Sequence, residues 1–227
     1  VADAARSIRE LGAGTLRVAA AASISMSVLP QAIRLFLARY PQVRIVVDTS
    51  ESSVIANWVA TQHCDIGFAS YVADKPGVVA TLIHSENAVC VLPAQHRLAG
   101  RKRVTPKDLE GERFISLPSG TTSRRAIDAA FGDDGRILAL ETPYAATICS
   151  MVSQGLGLSL VNPIISRALH FAGVCTVPFQ PDIPFRSYML RAQLAPDDTL
   201  IQAFIACMRT AFKPQRAPHA PVPGPAE

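Results

Sequence analysis

The chain is poor in charged and aromatic residues. Charged residues make up 18% of its 227 residues and aromatic residues 6%, whereas hydrophobic residues reach 49%. This balance excludes disorder for the body of the chain and permits a sizeable buried core. The net charge is only +4, and no aromatic residues interleave with the basic run Arg101-Lys102-Arg103. We therefore interpret that run as solvated surface rather than as a nucleic-acid site.

Long apolar runs and paired cysteines are also missing. No apolar stretch reaches about 18 residues, which argues against a membrane-spanning helix, so no membrane partner is expected. The 5 cysteines are odd in number, widely spaced and without a CxxC pair, so neither a zinc site nor a disulfide framework is expected. Free buried thiols and the lack of a secretory leader predict a cytoplasmic location. Because the chain begins at Val1, we also expect an upstream segment.

The motifs of common enzyme classes are absent as well. The sequence contains no GxSxG elbow and no HExxH pair, and its 5 histidines share no spacing. Gly155-Leu156-Gly157 lacks the third glycine of a dinucleotide site and falls at the end of a predicted helix. We therefore expect no catalytic residues, no metal ion and no cofactor.

What the sequence does contain is an alternation of apolar strands and amphipathic helices. Its first third predicts strands over 15–20, 43–47 and 64–69, a helix over 29–40, and a second helix that buries Val54, Ile55, Trp58 and Val59. Two consecutive parallel crossovers of this kind imply a doubly wound sheet of the α/β class.

The alternation restarts after Pro93 and predicts a second lobe. A strand over 185–191 returns from that lobe, and a helix over 199–212 packs on the first one. We therefore expect lobe I at residues 14–92 plus 183–212 and lobe II at 93–182. They are flanked by the end of a linker helix at 1–13 and a disordered, proline-rich tail at 213–227. Two lobes joined by two strands form a clamshell that holds ligands in its cleft.

Five segments in register resemble the effector-binding domain of LysR-type transcriptional regulators. They are Gly14 to Ala20 with the following helix, Cys64-Asp65-Ile66-Gly67, Pro93 to Ala99, Val104 to Gly111, and Val152 to Val161. The resemblance implies two Rossmann-like lobes joined by two crossover strands, the type II periplasmic-binding-protein fold. The pair Asn162-Pro163 departs from the common pattern and resembles the opine-responsive branch.

The same resemblance implies the partners. A small anionic effector, a carboxylate or an amino acid derivative, binds between the lobes, and the domain forms a homodimer or homotetramer. Promoter DNA is bound only through an N-terminal winged helix-turn-helix that this chain does not contain. The helix over 29–40 and the Trp58 helix are candidate dimer surfaces.

Hydroxyl-bearing turns before helices supply the candidate effector-binding residues. Such turns hold anions with side-chain hydroxyls and free backbone N–H groups, although helix capping explains the same residues. Ser23 and Ser52 match effector-contacting positions of the family, and Asn162 is expected to read an amino or guanidino group. The full candidate set is Ser23, Ile24, Ser52, Ser53, Phe68, Ser119, Gly120, Thr121, Thr122, Tyr144 and Asn162.

Two other functions remain open at this point. A free-standing solute-binding protein of a transporter has a similar fold, and an upstream secretory leader in the gene distinguishes it from a regulator. An enzyme on the same scaffold needs an acid–base or nucleophile pair converging on the cleft, and the sequence spacing offers none.

Overall fold

A computed structural model describes residues 14–132, 135–196 and 198–213. The expected linker helix at 1–13 and the proline-rich tail, apart from Lys213, lie outside this part. The strands are β1 (Gly14–Ala20), β2 (Val43–Thr49), β3 (Ile66–Ala69), β4 (Val78–Asn87), β5 (Val89–Pro93), β6 (Arg113–Ser116), β7 (Ile137–Glu141), β8 (Ser159–Val161), β9 (Val174–Pro178) and β10 (Pro184–Ala192). The helices are α1 (Ala22–Ser27), α2 (Leu29–Arg39), α3 (Ser52–Ala60), α4 (Thr122–Phe131), α5 (Ala145–Ser153), α6 (Pro163–Ala168) and α7 (Thr199–Phe212), and Pro106–Leu109 forms a 3₁₀ turn.

The first sheet has five strands in the order β2-β1-β3-β10-β4. Strand β1 pairs in parallel with both β2 and β3, and β10 runs antiparallel to β3 and β4. Residues Val18, Ala19 and Ala20 of β1 are completely buried because helices cover both faces of the sheet. The predicted doubly wound arrangement is therefore present.

Helix α7 closes the first sheet, as its apolar face predicts. The carboxylate of Asp198 accepts hydrogen bonds from the backbone N–H groups of Leu200 (2.8 Å) and Ile201 (3.3 Å), which fixes where the helix begins. The Phe204 ring packs edge-on against Phe36 of α2 at 5.4 Å and lies 6.2 Å from Phe68 of β3. The expected return of this helix to the first sheet is confirmed.

The second half of the fold is built on two smaller sheets. Strands β8, β5 and β9 form one, and β6 and β7 form the other, with a bridge between Phe114 and Leu158 joining them. Phe114 and Phe131 pack edge-on at 5.9 Å, and the buried Arg136 guanidinium lies 3.8 Å from the Phe131 ring centre. These contacts fasten α4 to the sheets beneath it.

The chain crosses between the two halves at adjacent points. Pairing changes from the first sheet to the second between Asn87 and Val89, and back again after Pro178. At the crossing the backbone N–H of Ala88 donates to the carbonyl of Ile183 at 2.9 Å. Strand β5 thus pairs within the second sheet, so we place the first crossing before β5 rather than after residue 92. The division of the chain into two lobes stays a prediction.

Two helices of the first half differ from the sequence expectation. Residues 22–27 form the short helix α1 where only a polar gap was predicted. In α3 the buried face comprises Ser52, Ile55, Ala56 and Val59, because the helix begins at Ser52 and these positions recur at helical spacing. The predicted burial of Val54 is wrong: its side chain is 37% exposed, and Trp58 is only half-buried.

The cysteines behave as packing residues. All 5 thiols are free, and Cys64, Cys90 and Cys149 are buried. Burial raises the pKa of Cys64 to about 12 and of Cys149 to about 11, so neither is a reactive thiolate near neutral pH. Within the described residues, no helix is long and apolar enough to cross a membrane.

Candidate functional site

A cavity of about 270 Å³ lies between the two halves of the fold. The first half lines it with the starts of α1 and α3 and the turn after β3, and the second half with the starts of α4, α5 and α6. Its lining includes Ser23, Met26, Glu51, Ser52, Ser70, Tyr71, Leu117, Thr121, Thr122, Tyr144, Asn162, Ile165 and Phe185. Strand ends and helix starts meet here because parallel strands and their crossover helices direct them to one edge.

A pair of serines organises the wall formed by the first half. The Ser52 side chain is 3% exposed, and its hydroxyl oxygen accepts the backbone N–H of Ser70 at 3.0 Å. The Ser70 hydroxyl in turn lies 3.3 Å from the Ser23 hydroxyl. Since Ser52 accepts from the backbone, its own hydroxyl hydrogen remains to be donated to a bound molecule.

Two adjacent threonines divide the roles in the wall formed by the second half. The Thr121 hydroxyl accepts the backbone N–H of Arg124 at 3.2 Å and donates to the carbonyl of Pro118 at 2.9 Å, so it caps α4 and has no hydrogen left to donate to a ligand. The Thr122 hydroxyl makes no hydrogen bond within the described residues, and Thr122 lines the cavity. Of the two, Thr122 is the residue available to a ligand.

The Asn162 side chain is oriented by the helix that it caps. Its oxygen accepts the backbone N–H of Ile164 at 3.2 Å at the start of α6, and the residue is only 6% exposed. The amide nitrogen makes no hydrogen bond within the described residues and can donate to a ligand, while the oxygen keeps a second lone pair that can accept one. The expectation that Asn162 reads an amino or guanidino group stays a prediction, and the unbonded amide nitrogen also suits an oxygen acceptor.

Arg124 stabilises the wall formed by the second half without lining the cavity. Its guanidinium pairs with the Asp128 carboxylate at 2.7 Å and donates to the Leu117 carbonyl at 2.9 Å. Leu117 lines the cavity and Arg124 does not. This arginine therefore holds the loop before α4 rather than contacting a bound carboxylate.

The geometry is that of a ligand-binding cleft, and comparison with known families identifies it. Residues 9–213 match the family model described as the LysR substrate binding domain. The chain belongs to the LysR substrate-binding domain family. It is a family of regulatory domains and not of enzymes, which agrees with the interpretation that the chain is not an enzyme.

Curated relatives of this LysR-type domain are regulatory proteins. The chain is 35% identical over 206 residues to the transcriptional activator protein LysR of Escherichia coli, covering 90% of the chain and 66% of the relative. It is 31% identical over 202 residues to the regulatory protein NocR of Agrobacterium tumefaciens, covering 88% of the chain and 67% of the relative. It is 28% identical over 205 residues to the octopine catabolism/uptake operon regulatory protein OccR of Rhizobium meliloti, covering 90% of the chain and 68% of the relative. The chain thus spans about two thirds of the length of these relatives.

Solved structures share the fold. The reduced regulatory domain of OxyR from Pseudomonas aeruginosa aligns with a TM-score of 0.77 at 19% identity, covering 88% of this chain and 98% of that one. The BenM effector binding domain with its effector benzoate aligns with a TM-score of 0.73 at 18% identity, covering 88% of this chain and 92% of the BenM domain. These matches confirm the predicted α/β fold of the type II periplasmic-binding-protein class.

Six of the predicted site residues of this LysR-type domain line the cavity. They are Ser23, Ser52, Thr121, Thr122, Tyr144 and Asn162. Tyr144 is 52% exposed at the start of α5, where the structure shows no side-chain cap for the helix. Their part in binding an effector stays a prediction.

The other five predicted residues lie outside the lining, and we remove them from the proposed site. Ile24 and Phe68 are 0% exposed, since the first faces the core from α1 and the second packs on Phe204. Ser53 follows Ser52 on α3, so its side chain is rotated away from the cavity. Ser119 and Gly120 form the turn before α4, in which Gly120 adopts a φ of +83°, and the lining resumes at Thr121.

Several lining residues were missed from the sequence. Ser70 follows β3 as Ser23 follows β1, so the end of a buried strand was the signal that pointed to it. Phe185 lies on the returning strand β10, and no local pattern connects it to the cleft. Glu51 was missed as well, and an acidic residue at a helix start gives no specific signal of a ligand because the helix dipole favours it there.

Proposed function

We propose that this domain binds a small carboxylate metabolite in the cavity between its two halves and couples that binding to a DNA-binding domain outside this chain. The observation that carries the proposal is the concentration of hydrogen-bond donors at helix starts on both walls of one cleft. Ligand carboxylates bind to such donors without needing a basic side chain.

Both walls of the cavity offer hydrogen-bond donors to a ligand. The first half contributes the hydroxyls of Ser52 and Ser70, and the second half contributes the Thr122 hydroxyl and the Asn162 amide. No described side chain caps α3 or α5, so the N–H groups of their first turns are also available. A carboxylate that bridges both walls gains from each, which favours closure of the cleft.

The relatives support a small organic acid as the ligand class. BenM is described with benzoate as its effector, and OccR is described as regulating octopine catabolism and uptake. A carboxylate or an amino acid derivative fits both the cavity volume of about 270 Å³ and its hydroxyl-rich lining. The donors of this site match that chemistry.

Coupling to DNA requires an effector that prefers one arrangement of the halves. An effector that contacts both walls binds the closed arrangement better, and the difference in affinity biases the assembly. Such coupling typically amounts to about 1–3 kcal/mol. We propose a homodimer or homotetramer as the assembly, with α2 and the Trp58-bearing helix α3 as candidate surfaces and promoter DNA bound by an N-terminal winged helix-turn-helix.

The test is isothermal titration calorimetry of the chain against a panel of small carboxylates. We expect Ser52→Ala to weaken the tightest binder about 10-fold or more, since a hydrogen bond to a charged group contributes about 1.5–3 kcal/mol. Ser53→Ala is the matched control, because it removes the neighbouring hydroxyl that does not line the cavity.

Ser52 also accepts the Ser70 backbone N–H, so its loss can disturb the fold. Thr122→Val therefore provides a second variant, on the opposite wall and without a structural hydrogen bond to lose. Unchanged affinity in both Ser52→Ala and Thr122→Val, or no carboxylate binding at all, contradicts the proposal.

A further inference from the structure

We propose that the effector also carries a cationic group, an ammonium or a guanidinium, whose counter-charge is the Glu51 carboxylate. This inference rests on the proposed carboxylate binding and narrows its ligand to a zwitterion. Among the described residues that line the cavity, Glu51 is the sole charged side chain. The cavity therefore combines one acid with many neutral donors and no basic side chain.

Glu51 has no partner within the described part of the chain. Its carboxylate is exposed and forms neither an ion pair nor a hydrogen bond there, and only its backbone carbonyl is bonded, accepting the Ile55 N–H at 2.9 Å. Its backbone is extended, with φ −73° and ψ 153°, at the position just before α3. Although an acid at this position has a favourable interaction with the helix dipole, that interaction leaves the carboxylate oxygens free to accept hydrogen bonds from a ligand.

A positive group on the ligand balances the charge of Glu51. A ligand that carries only a carboxylate places a negative charge in the same small cavity as Glu51, and the two charges repel each other. A ligand with a positive group near Glu51 replaces that repulsion with an attraction. The site as a whole then selects against simple organic acids, which is a way of obtaining specificity without extra contacts.

The arrangement of donors gives the ligand a direction. Glu51 lies at the start of α3 in the first half, whereas the Thr122 hydroxyl and the Asn162 amide lie in the second half. We therefore place the cationic group beside the exposed Glu51 carboxylate, and the ligand carboxylate between the buried Ser52 hydroxyl and the donors of α4 and α6. A zwitterion bound in this direction spans the cleft between the two halves.

A metal ion does not explain Glu51 equally well. Within the described residues, no group of three or more His, Cys, Asp or Glu side chains is placed to hold a metal ion. Hard divalent cations require several oxygen ligands, including carboxylates, whereas one carboxylate suffices for an organic cation.

The experiment uses matched pairs of carboxylates that differ only in the cationic group. Suitable pairs are 6-aminohexanoate with heptanoate and 4-guanidinobutanoate with 6-methylheptanoate, within a wider panel of amino acid derivatives and their deaminated counterparts. Calorimetry on the wild-type chain identifies the binders, and the tightest is then titrated into Glu51→Gln and Glu110→Gln.

We expect every binder to carry a cationic group and Glu51→Gln to weaken the tightest about 10-fold or more, as for a charge-assisted pair. Glu110→Gln is the control for loss of one negative charge, since Glu110 is exposed and precedes β6, away from the cleft. It should leave the affinity unchanged.

Three outcomes are distinguishable. Binding of deaminated acids as tight as that of their cationic partners overturns the role of Glu51 and leaves the proposed carboxylate site standing. Equal affinity of the Glu51→Gln and wild-type chains for the cationic binder does the same. Absence of binding across the whole panel contradicts the proposed function itself, and the melting temperatures of the unliganded variants show whether each one is folded.

Discussion

At the scale of single residues, the hydrogen bonds that each cleft side chain has already made determine which donors and acceptors it can offer to a ligand. Thr121 and Thr122 look equivalent in the sequence, yet the first caps α4 and has no hydrogen left to donate to a ligand, and the second is free. Asn162 lines the cavity, and the Ile164 N–H that donates to its oxygen orients the side chain while its amide nitrogen stays able to donate. Identity and spacing predict a residue's place, whereas its remaining donors depend on tertiary contacts.

Gly157 provides a residue-scale prediction about stability. Its φ is +153°, and a Cβ at this position would lie 2.5 Å from the backbone oxygen of Arg113 at the start of β6. We expect Gly157→Ala to lower the free energy of unfolding by about 1–3 kcal/mol, because the backbone conformation and the close contact both disfavour a side chain. Urea denaturation measures the change.

Gly100→Ala is the matched control, since nothing lies within 4 Å of the Cβ that it adds. A change of less than about 0.5 kcal/mol is expected there, as for ordinary surface substitutions. Equal stability of Gly157→Ala and Gly100→Ala would show that β6 does not approach residue 157 as closely as described.

At the scale of elements, the strongly periodic segments were predictable from the sequence. The helix over 199–212 has the expected bounds and apolar face, and β1, β2 and α2 lie within a few residues of their predicted positions. Helix α1 was missed because it is 6 residues long and rich in serine, so it has no apolar stripe to reveal it. Val54 was misassigned because burial depends on where α3 begins, and local hydrophobicity does not contain that information.

An ion pair between elements gives a prediction about pH. The Arg167 guanidinium of α6 donates hydrogen bonds to the Glu86 carboxylate near the end of β4, with one nitrogen–oxygen distance of 2.6 Å, and His84 lies 3.2 Å from the same carboxylate. The hydrogen bonds from Arg167 hold the pKa of Glu86 below its ordinary value of 4.5. A carboxyl group with a lower pKa in the folded state stabilises the fold above its unfolded pKa and loses that contribution as the pH falls through the folded value.

We therefore expect Glu86→Gln to lower the free energy of unfolding at neutral pH and to match the wild type increasingly well as the pH falls below about 4.5. The effect at neutral pH should be about 1 kcal/mol or less, because the Arg167 side chain is 47% exposed. Urea denaturation across this pH range checks it, with Glu110→Gln as the control. A difference that grows on acidification would contradict the assignment.

At the scale of the whole molecule, the cavity exists because the chain crosses twice between two sheet systems at neighbouring points. The sequence indicated two α/β halves and a cleft, since each half repeats the strand–helix alternation. It did not locate the crossing at Ala88 and Ile183, nor the contribution of Phe185 from the returning strand, because both depend on how strands pair across long sequence separations. A continuous buried cluster that includes Ile24 of α1 and Ile164 of α6 joins the halves, and Ile165 of the same cluster also lines the cavity.

A crystal structure of the chain with the tightest binder from the carboxylate panel shows whether one small acid contacts both walls of the cleft. We expect density for the acid between Ser52 and Thr122, with its carboxylate within hydrogen-bond distance of the Asn162 amide. An acid bound outside the cleft, or held by residues of one half alone, would contradict it.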